Sequence, residues 1–169
     1  MRAVLIVLLV MWLSGCAQQP TVSQPPRAVA WSMDAKIAFT GKQQSGSAFA
    51  EFDYTPGLFG GNLRGLFGIG KTRIDCNLSY CDIASSDGET RAWLNQGNLE
   101  LQANLLLPIN LLPDWLLGTH TDRAQESGWQ VDIDAWQEQH GVRLPQKLRL
   151  THTTGHRLKV FITRWTPQE

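Results

Sequence analysis

The chain has no excess of charge of either sign, with 15 Lys and Arg against 15 Asp and Glu. The basic footprint of a nucleic-acid binder is therefore missing, and binding is expected to be apolar rather than ionic. A long hydrophobic run is missing too: the unbroken apolar stretch Ala3 to Leu13 falls short of the roughly 20 residues a bilayer span requires. Catalytic signatures are equally scarce. The four histidines, His120, His140, His152 and His156, show no H-E-x-x-H spacing and read as solvated surface residues. No G-x-S-x-G elbow occurs, and Asp132 and Asp134 read as solubilising carboxylates on the wet face of a strand. No enzyme, metal or cofactor is expected.

Cysteine occurs three times, at Cys16, Cys76 and Cys81. Cys76 and Cys81 have the spacing of a bridge across a tight hairpin, with free thiols as the alternative. A zinc site wants four N or S ligands, and the CxxC spacing of a redox pair is absent.

What is present begins at the N-terminus. Met1 and Arg2, the apolar run and the small residues after it have the three-part layout of an export signal. Leu13-Ser14-Gly15-Cys16 then resembles the lipobox of bacterial lipoproteins, which implies acylation of Cys16 and cleavage just before it. By the same resemblance, Ala17, Gln18 and Gln19 imply the outer membrane rather than retention at the inner one. The expected layout is a signal peptide at 1–15, a lipidated, Gln- and Pro-rich tether at 16–30, and one folded domain at 31–169.

Within that domain Trp31, Met33, Ala35, Ile37 and Phe39 alternate with polar or small neighbours, and Ala48, Ala50, Phe52 and Tyr54 do the same. Period two predicts strands with one wet face, here two adjacent antiparallel ones. The alternation returns at Trp129, Val131 and Ile133, at Leu148 and Leu150, and at Leu158, Val160 and Ile162. Between these blocks, Asn95 to Leu117 predicts two short helices. Leu99, Ala103 and Leu106 fall at helical spacing, Pro113 suits a first turn and Gly118 a stop. The fold class expected is mainly antiparallel β of the α+β type. Six tryptophans after Trp12 read mostly as core, and such a sheet is also suited to enclosing an apolar cavity.

Gly65-Leu66-Phe67-Gly68-Ile69-Gly70-Lys71-Thr72 fits the P-loop pattern G-x-x-x-x-G-K-[ST]. That pattern binds phosphate only between a strand and a helix, whereas Arg73-Ile74-Asp75-Cys76 continues as a strand, so nucleotide binding is disfavoured. The segment reads instead as a Gly-rich connection bearing Leu58, Phe59, Leu66 and Phe67. Two readings of it stand: an apolar tip for a membrane or partner, or side chains folded back into the core.

From Trp31 to Trp165 the chain resembles the LolB family, outer-membrane lipoproteins that receive other lipoproteins from the periplasmic carrier LolA. The resemblance rests on Leu107-Pro108-Ile109-Asn110-Leu111-Leu112-Pro113-Asp114-Trp115-Leu116-Leu117-Gly118, on Gly128-Trp129-Gln130-Val131, on Leu144-Pro145 before Leu148, and on Ile162-Thr163-Arg164-Trp165. It implies a strongly curved, incomplete β-barrel closed by short helices over a hydrophobic cavity for acyl chains. It also implies a protruding loop that acts in membrane insertion, whose tip falls on Leu66 and Phe67. The family usually has Pro-Leu-Gly there, so this chain departs from it, and Phe52 stands where a tryptophan is common. Ile37, Phe39, Phe52, Ile74, Leu112, Trp115 and Leu116 are the expected cavity lining. The implied partners are a LolA-like carrier, lipoprotein acyl chains and outer-membrane lipid, met by a monomer on the periplasmic face. The alternative is a structural or assembly lipoprotein that binds a partner protein without a lipid cavity.

Overall fold

A computed structural model of the chain describes residues 29–41, 45–65, 70–101 and 105–168. Nine strands form one antiparallel sheet in the order β6-β5-β4-β3-β2-β1-β11-β10-β9. In chain order these are β1 (Trp31–Thr40), β2 (Ser45–Thr55), β3 (Leu58–Arg64), β4 (Lys71–Cys76), β5 (Tyr80–Ser85) and β6 (Gly88–Trp93), then β9 (Trp129–Gln139), β10 (Val142–His152) and β11 (Arg157–Pro167). Strands β7 (Asn98–Leu101) and β8 (Leu105–Pro108) make a separate hairpin. The large sheet is curved and stays open, with β6 and β9 at its free edges.

Alternation builds the sheet as expected. Trp31, Met33, Ala35 and Ile37 of β1 are buried, and the residues between them are partly or fully exposed. The register sets Met33 opposite Phe52 on one side and Trp165 on the other, so the apolar positions of adjacent strands meet on one face. Bulges add local twist and bend strands. Thr163 is passed over where Asp34 pairs Arg164 and Ala35 pairs Ile162, and the β9–β10 register shifts twice, at Pro145/Lys147 and Lys147/Leu148.

Tight turns fix the hairpins. His140 and Gly141 both take positive φ, 53° and 73°, between Gln139 and its partner Val142, the two-residue turn whose twist suits a hairpin. His140 is exposed there.

The segment Asn95 to Leu117 departs from expectation. Among its described residues one short α-helix forms, α1 (Leu112–Leu116), with Pro113 in its first turn. Leu99 and Leu106 lie instead on β7 and β8, and Ala103 falls outside the described residues. A spacing of three or four apolar positions is equally met by a hairpin whose two short strands each bury one residue. Leu99 and Leu105 are the buried ones here, while Leu106 is exposed. The missed signal was Gln96-Gly97, both at positive φ between the bridged pair Asn95 and Asn98. A 3-10 helix, Thr121–Ser127, follows α1. Gly118 is required by a close approach: its φ is 77°, and a Cβ there would stand 2.8 Å from Trp136, 2.9 Å from Pro145 and 3.1 Å from Ile133.

Candidate functional site

The inner face of the sheet changes character across its width. Under β1, β11 and β10 it is sealed: Met33, Ala35, Val160, Ile162, Leu144, Leu148 and Leu150 are all buried. Trp115, Leu116 and Leu117 of the α1 segment belong to the same hydrophobic cluster. The indole N–H of Trp129 donates to the Leu106 carbonyl at 2.8 Å and ties the β8 hairpin to β9. Toward β6 the same face is only half covered. Phe52, Ile74 and Ile83, with Gly61 between them, form one row running from Met33 across β2 to β5, and all three apolar side chains are half-buried.

Gly61 leaves room for the ring in that row, since a Cβ there would lie 3.0 Å from Phe52. Phe52 in turn stacks on Phe59, with centroids 5.5 Å apart. An apolar row that is only partly buried is a surface on which an apolar guest would be driven to lie, at roughly 25 cal/mol for each Å² removed from water.

The seven expected lining residues fall into two groups. Ile37, Leu112, Trp115 and Leu116 are buried in the core, and Phe39, Phe52 and Ile74 are half-buried. Phe52 and Ile74 share the open row, whereas Phe39 stacks on His156 at 5.8 Å near the far end of β1. The indole N–H groups of Trp31, Trp115 and Trp165 are buried without an acceptor among the described residues. Buried donors are normally paired, and these three lie inside the sealed core, at 1%, 0% and 3% exposure.

Leu66, Phe67, Gly68 and Ile69, and with them the expected loop tip, lie outside the described residues, as does Cys16. Their flanks are defined: Arg64 and Lys71 oppose each other at the base of the connection between β3 and β4. The Gly-rich stretch is shorter than expected. Leu58, Phe59, Gly60 and Gly61 belong to β3, Phe59 is buried, and Leu58 is exposed beside the turn at Gly57. Thr72, the last residue of the P-loop-like pattern, lies in strand β4 rather than at a helix start.

Cys76 and Cys81 are direct cross-strand partners joined by a disulfide, with Cα atoms 4.0 Å apart. The histidine reading needs correction. His152 and His156 are both 8% exposed, because the turn after β10 folds them inward against Trp129 and Phe39. The Thr154 hydroxyl lies 2.7 Å from Nδ1 of each ring. Burial holds the His152 pKa below its ordinary value, a backbone hydrogen bond at Ser127 opposes this, and His156 adds to it. Sequence alone carried no signal for this pair beyond its spacing across a turn.

Among the described residues, no helix is long and apolar enough to cross a membrane, and no group of three or more His, Cys, Asp or Glu is placed to hold a metal. A depression of about 610 Å³ lies on the outer face, lined by charged and polar side chains that include Glu51, Asn62, Arg64, Lys71 and Arg73.

The structure thus defines a class of protein built on one large, open, curved antiparallel sheet whose inner face is sealed over one half and partly exposed over the other. The family model described as outer membrane lipoprotein LolB matches residues 29–165, and the chain belongs to that family. Among curated relatives, the outer-membrane lipoprotein LolB of Halorhodospira halophila is 24% identical over 80% of this chain and 75% of its own length. The protein of that name from Aeromonas hydrophila is 28% identical over 80% of this chain and 76% of its own. That from Stutzerimonas stutzeri is 26% identical over 82% and 75%.

Proposed function

We propose that this chain is an outer-membrane-anchored receptor that accepts lipoproteins from a LolA-like periplasmic carrier and passes them into the outer membrane by non-covalent transfer of their acyl chains. Membership of the family supports the receptor role. The observation that carries the transfer chemistry is the half-open row Phe52, Gly61, Ile74 and Ile83 beside the sealed core.

In this reading the acyl chains lie in a cavity over that row, with Ile37, Leu112, Trp115 and Leu116 bounding it. Cys16 carries the protein's own lipid, and residues 16–30 tether the domain at 31–169 to the periplasmic leaflet. Phe67, with Leu66, leads the insertion step. Direction comes from differential burial. Each methylene contributes about 0.8 kcal/mol, so a site that buries two more methylenes than the carrier gains more than a tenfold preference. No covalent step and no ATP enter.

The test is binding of a fluorescent long-chain acyl probe to the purified protein. Saturable binding, weakened severalfold by Ile74→Glu with the fold kept by circular dichroism, is expected. Absence of probe binding would remove the cavity from the account.

One observation favours a second reading, a lipoprotein that binds a partner protein. Leu58, Leu78 and Trp93 are strongly exposed and gather at the strand ends opposite the 65–70 connection. Loss of partner capture in Trp93→Ser without loss of acyl binding would support that role for this end.

A further inference from the structure

The outer face of the sheet carries a cross-strand row that the apolar inner face does not explain. Register places Lys147 of β10 opposite Phe161 of β11, Phe161 opposite Lys36 of β1, Lys36 opposite Phe49 of β2, Phe49 opposite Arg64 of β3, and Arg64 opposite Lys71 of β4. Four cations thus alternate with two aromatic rings over six strands, about 24 Å at the usual strand spacing. Phe49 is 62% exposed. Lys36 lies over its ring at 5.3 Å, and Lys147 over Phe161 at 5.7 Å.

No carboxylate stands in this row, and among the described residues Lys36, Lys71 and Lys147 make no ion pair with one, whereas Arg64 pairs with Glu51. The rung nearer the 65–70 connection adds Lys159 and Arg149, the latter opposite Asp132 and paired with Asp134. On the other side of the row Asp34, Glu51, Asp53, Asp75 and Asp82 outnumber Arg73, Arg91 and Arg164, each of which pairs with one of them. The three unpaired lysines set this row apart from the paired charges around it.

Position decides what the row faces. Arg64 and Lys71 are the last two members at one end of it and also the two residues that flank the 65–70 connection. We infer that this row is a lipid-facing band, lying against anionic phospholipid headgroups when that connection enters the bilayer. The inference rests on the proposed insertion role of the loop. With an apolar tip in the acyl region, the hairpin base lies at headgroup depth, and the row continues from that base across β2, β1, β11 and β10. Lysine and arginine stems carry charge to phosphate while covering apolar surface, and aromatic rings favour the same interfacial layer.

The experiment uses the full mature chain with Cys16→Ser, so that no acyl anchor masks the contact, and sedimentation with vesicles. Vesicles of phosphatidylcholine alone are compared with vesicles containing 30% phosphatidylglycerol. Binding at least tenfold tighter to the anionic vesicles, abolished by 0.5 M NaCl, is expected. Each cation near an anionic surface is worth roughly fivefold in affinity, so Lys36→Gln/Lys71→Gln/Lys147→Gln should lose at least tenfold. Arg91→Gln, at the far end of the outer face in an ion pair with Asp82, should lose nothing. If the triple variant does not fold, Lys71→Gln and Lys147→Gln singly should each lose about fivefold.

Equal binding to both vesicle types, or a triple variant that binds as the parent does, would overturn the inference and leave an acidic protein partner as the occupant. Phe67→Glu separates this from the loop assignment. If only the loop assignment is wrong, Phe67→Glu binds vesicles normally while the triple variant does not; if only the band is wrong, the pattern reverses.

Discussion

Phe52 lies across Gly61: the two are cross-strand partners, and a Cβ added to the glycine would meet the ring at 3.0 Å. The ring sits in the half-open apolar row and reaches Phe59 beyond it. Gly61→Val should therefore push Phe52 off its position. Overpacking of this kind costs about 1–3 kcal/mol, to be read as a lowered midpoint in urea. Acyl-probe affinity should fall with it, whereas Gly57→Ala, in an open turn with nothing within 4 Å, should affect stability through its positive φ but leave probe affinity unchanged.

The Cys76–Cys81 disulfide closes a short loop, with a sequence separation of 5. Loop-closure entropy for so small a ring predicts about 2 kcal/mol of stabilisation. Replacing both cysteines with alanine, or reducing the wild-type protein, should lower the unfolding midpoint by a similar amount. The reduced wild type and the double variant should agree closely, because the bond pins β4 to β5 and nothing in the transfer reaction consumes it. Acyl transfer at temperatures well below the midpoint should be unchanged.

Acid should destabilise the fold through His152. Its pKa is lowered in the folded state by burial, so the unfolded chain binds the proton more readily. The stabilising contribution is complete above the unfolded value of about 6.5 and is lost as pH falls from there through the depressed folded value. The local geometry agrees: His152 Nδ1 accepts the Thr154 backbone N–H at 3.2 Å, so a proton there would displace that contact. Urea unfolding from pH 8 to pH 5 should show stability falling below about pH 6.5, and His152→Gln should flatten that part of the profile.

The loop assignment predicts a split between two steps. Phe67→Glu should leave receipt of a lipoprotein from the carrier unchanged and slow its appearance in the bilayer by at least tenfold, since a carboxylate must be carried past the headgroups. Receipt is measured by co-purification with the cargo, and insertion by flotation of the cargo with liposomes. Equal insertion rates would reassign the tip.

How much of this was legible in the sequence depended on which physical signal each element carries. The strands from Trp31 and from Ala48 announced themselves by period two, because one face of each is buried and the other wet. The β7–β8 hairpin did not. Its strands have four residues each, too short to show alternation, and its turn was hidden in the unremarked pair Gln96-Gly97. The buried histidines were misread because burial of His152 and His156 is set by a turn that faces Trp129 and Phe39, residues distant in sequence. The apolar lining was readable as a list of side chains. Which of them are sealed and which lie on the open row depends on what packs above the sheet, as Trp115 at full burial and Ile74 at half burial illustrate. The lysine and phenylalanine row was invisible in one dimension, since its members come from six strands brought together only by register.

The most direct test of the account is transfer itself. A LolA-like carrier loaded with an acylated lipoprotein is mixed with the mature chain carrying Cys16→Ser, and the distribution of cargo is followed by pull-down on either protein. The account predicts that most of the cargo moves to this chain without ATP and that Ile74→Glu reduces the transfer severalfold. Cargo that stays on the carrier, with this chain folded and in excess, would contradict it.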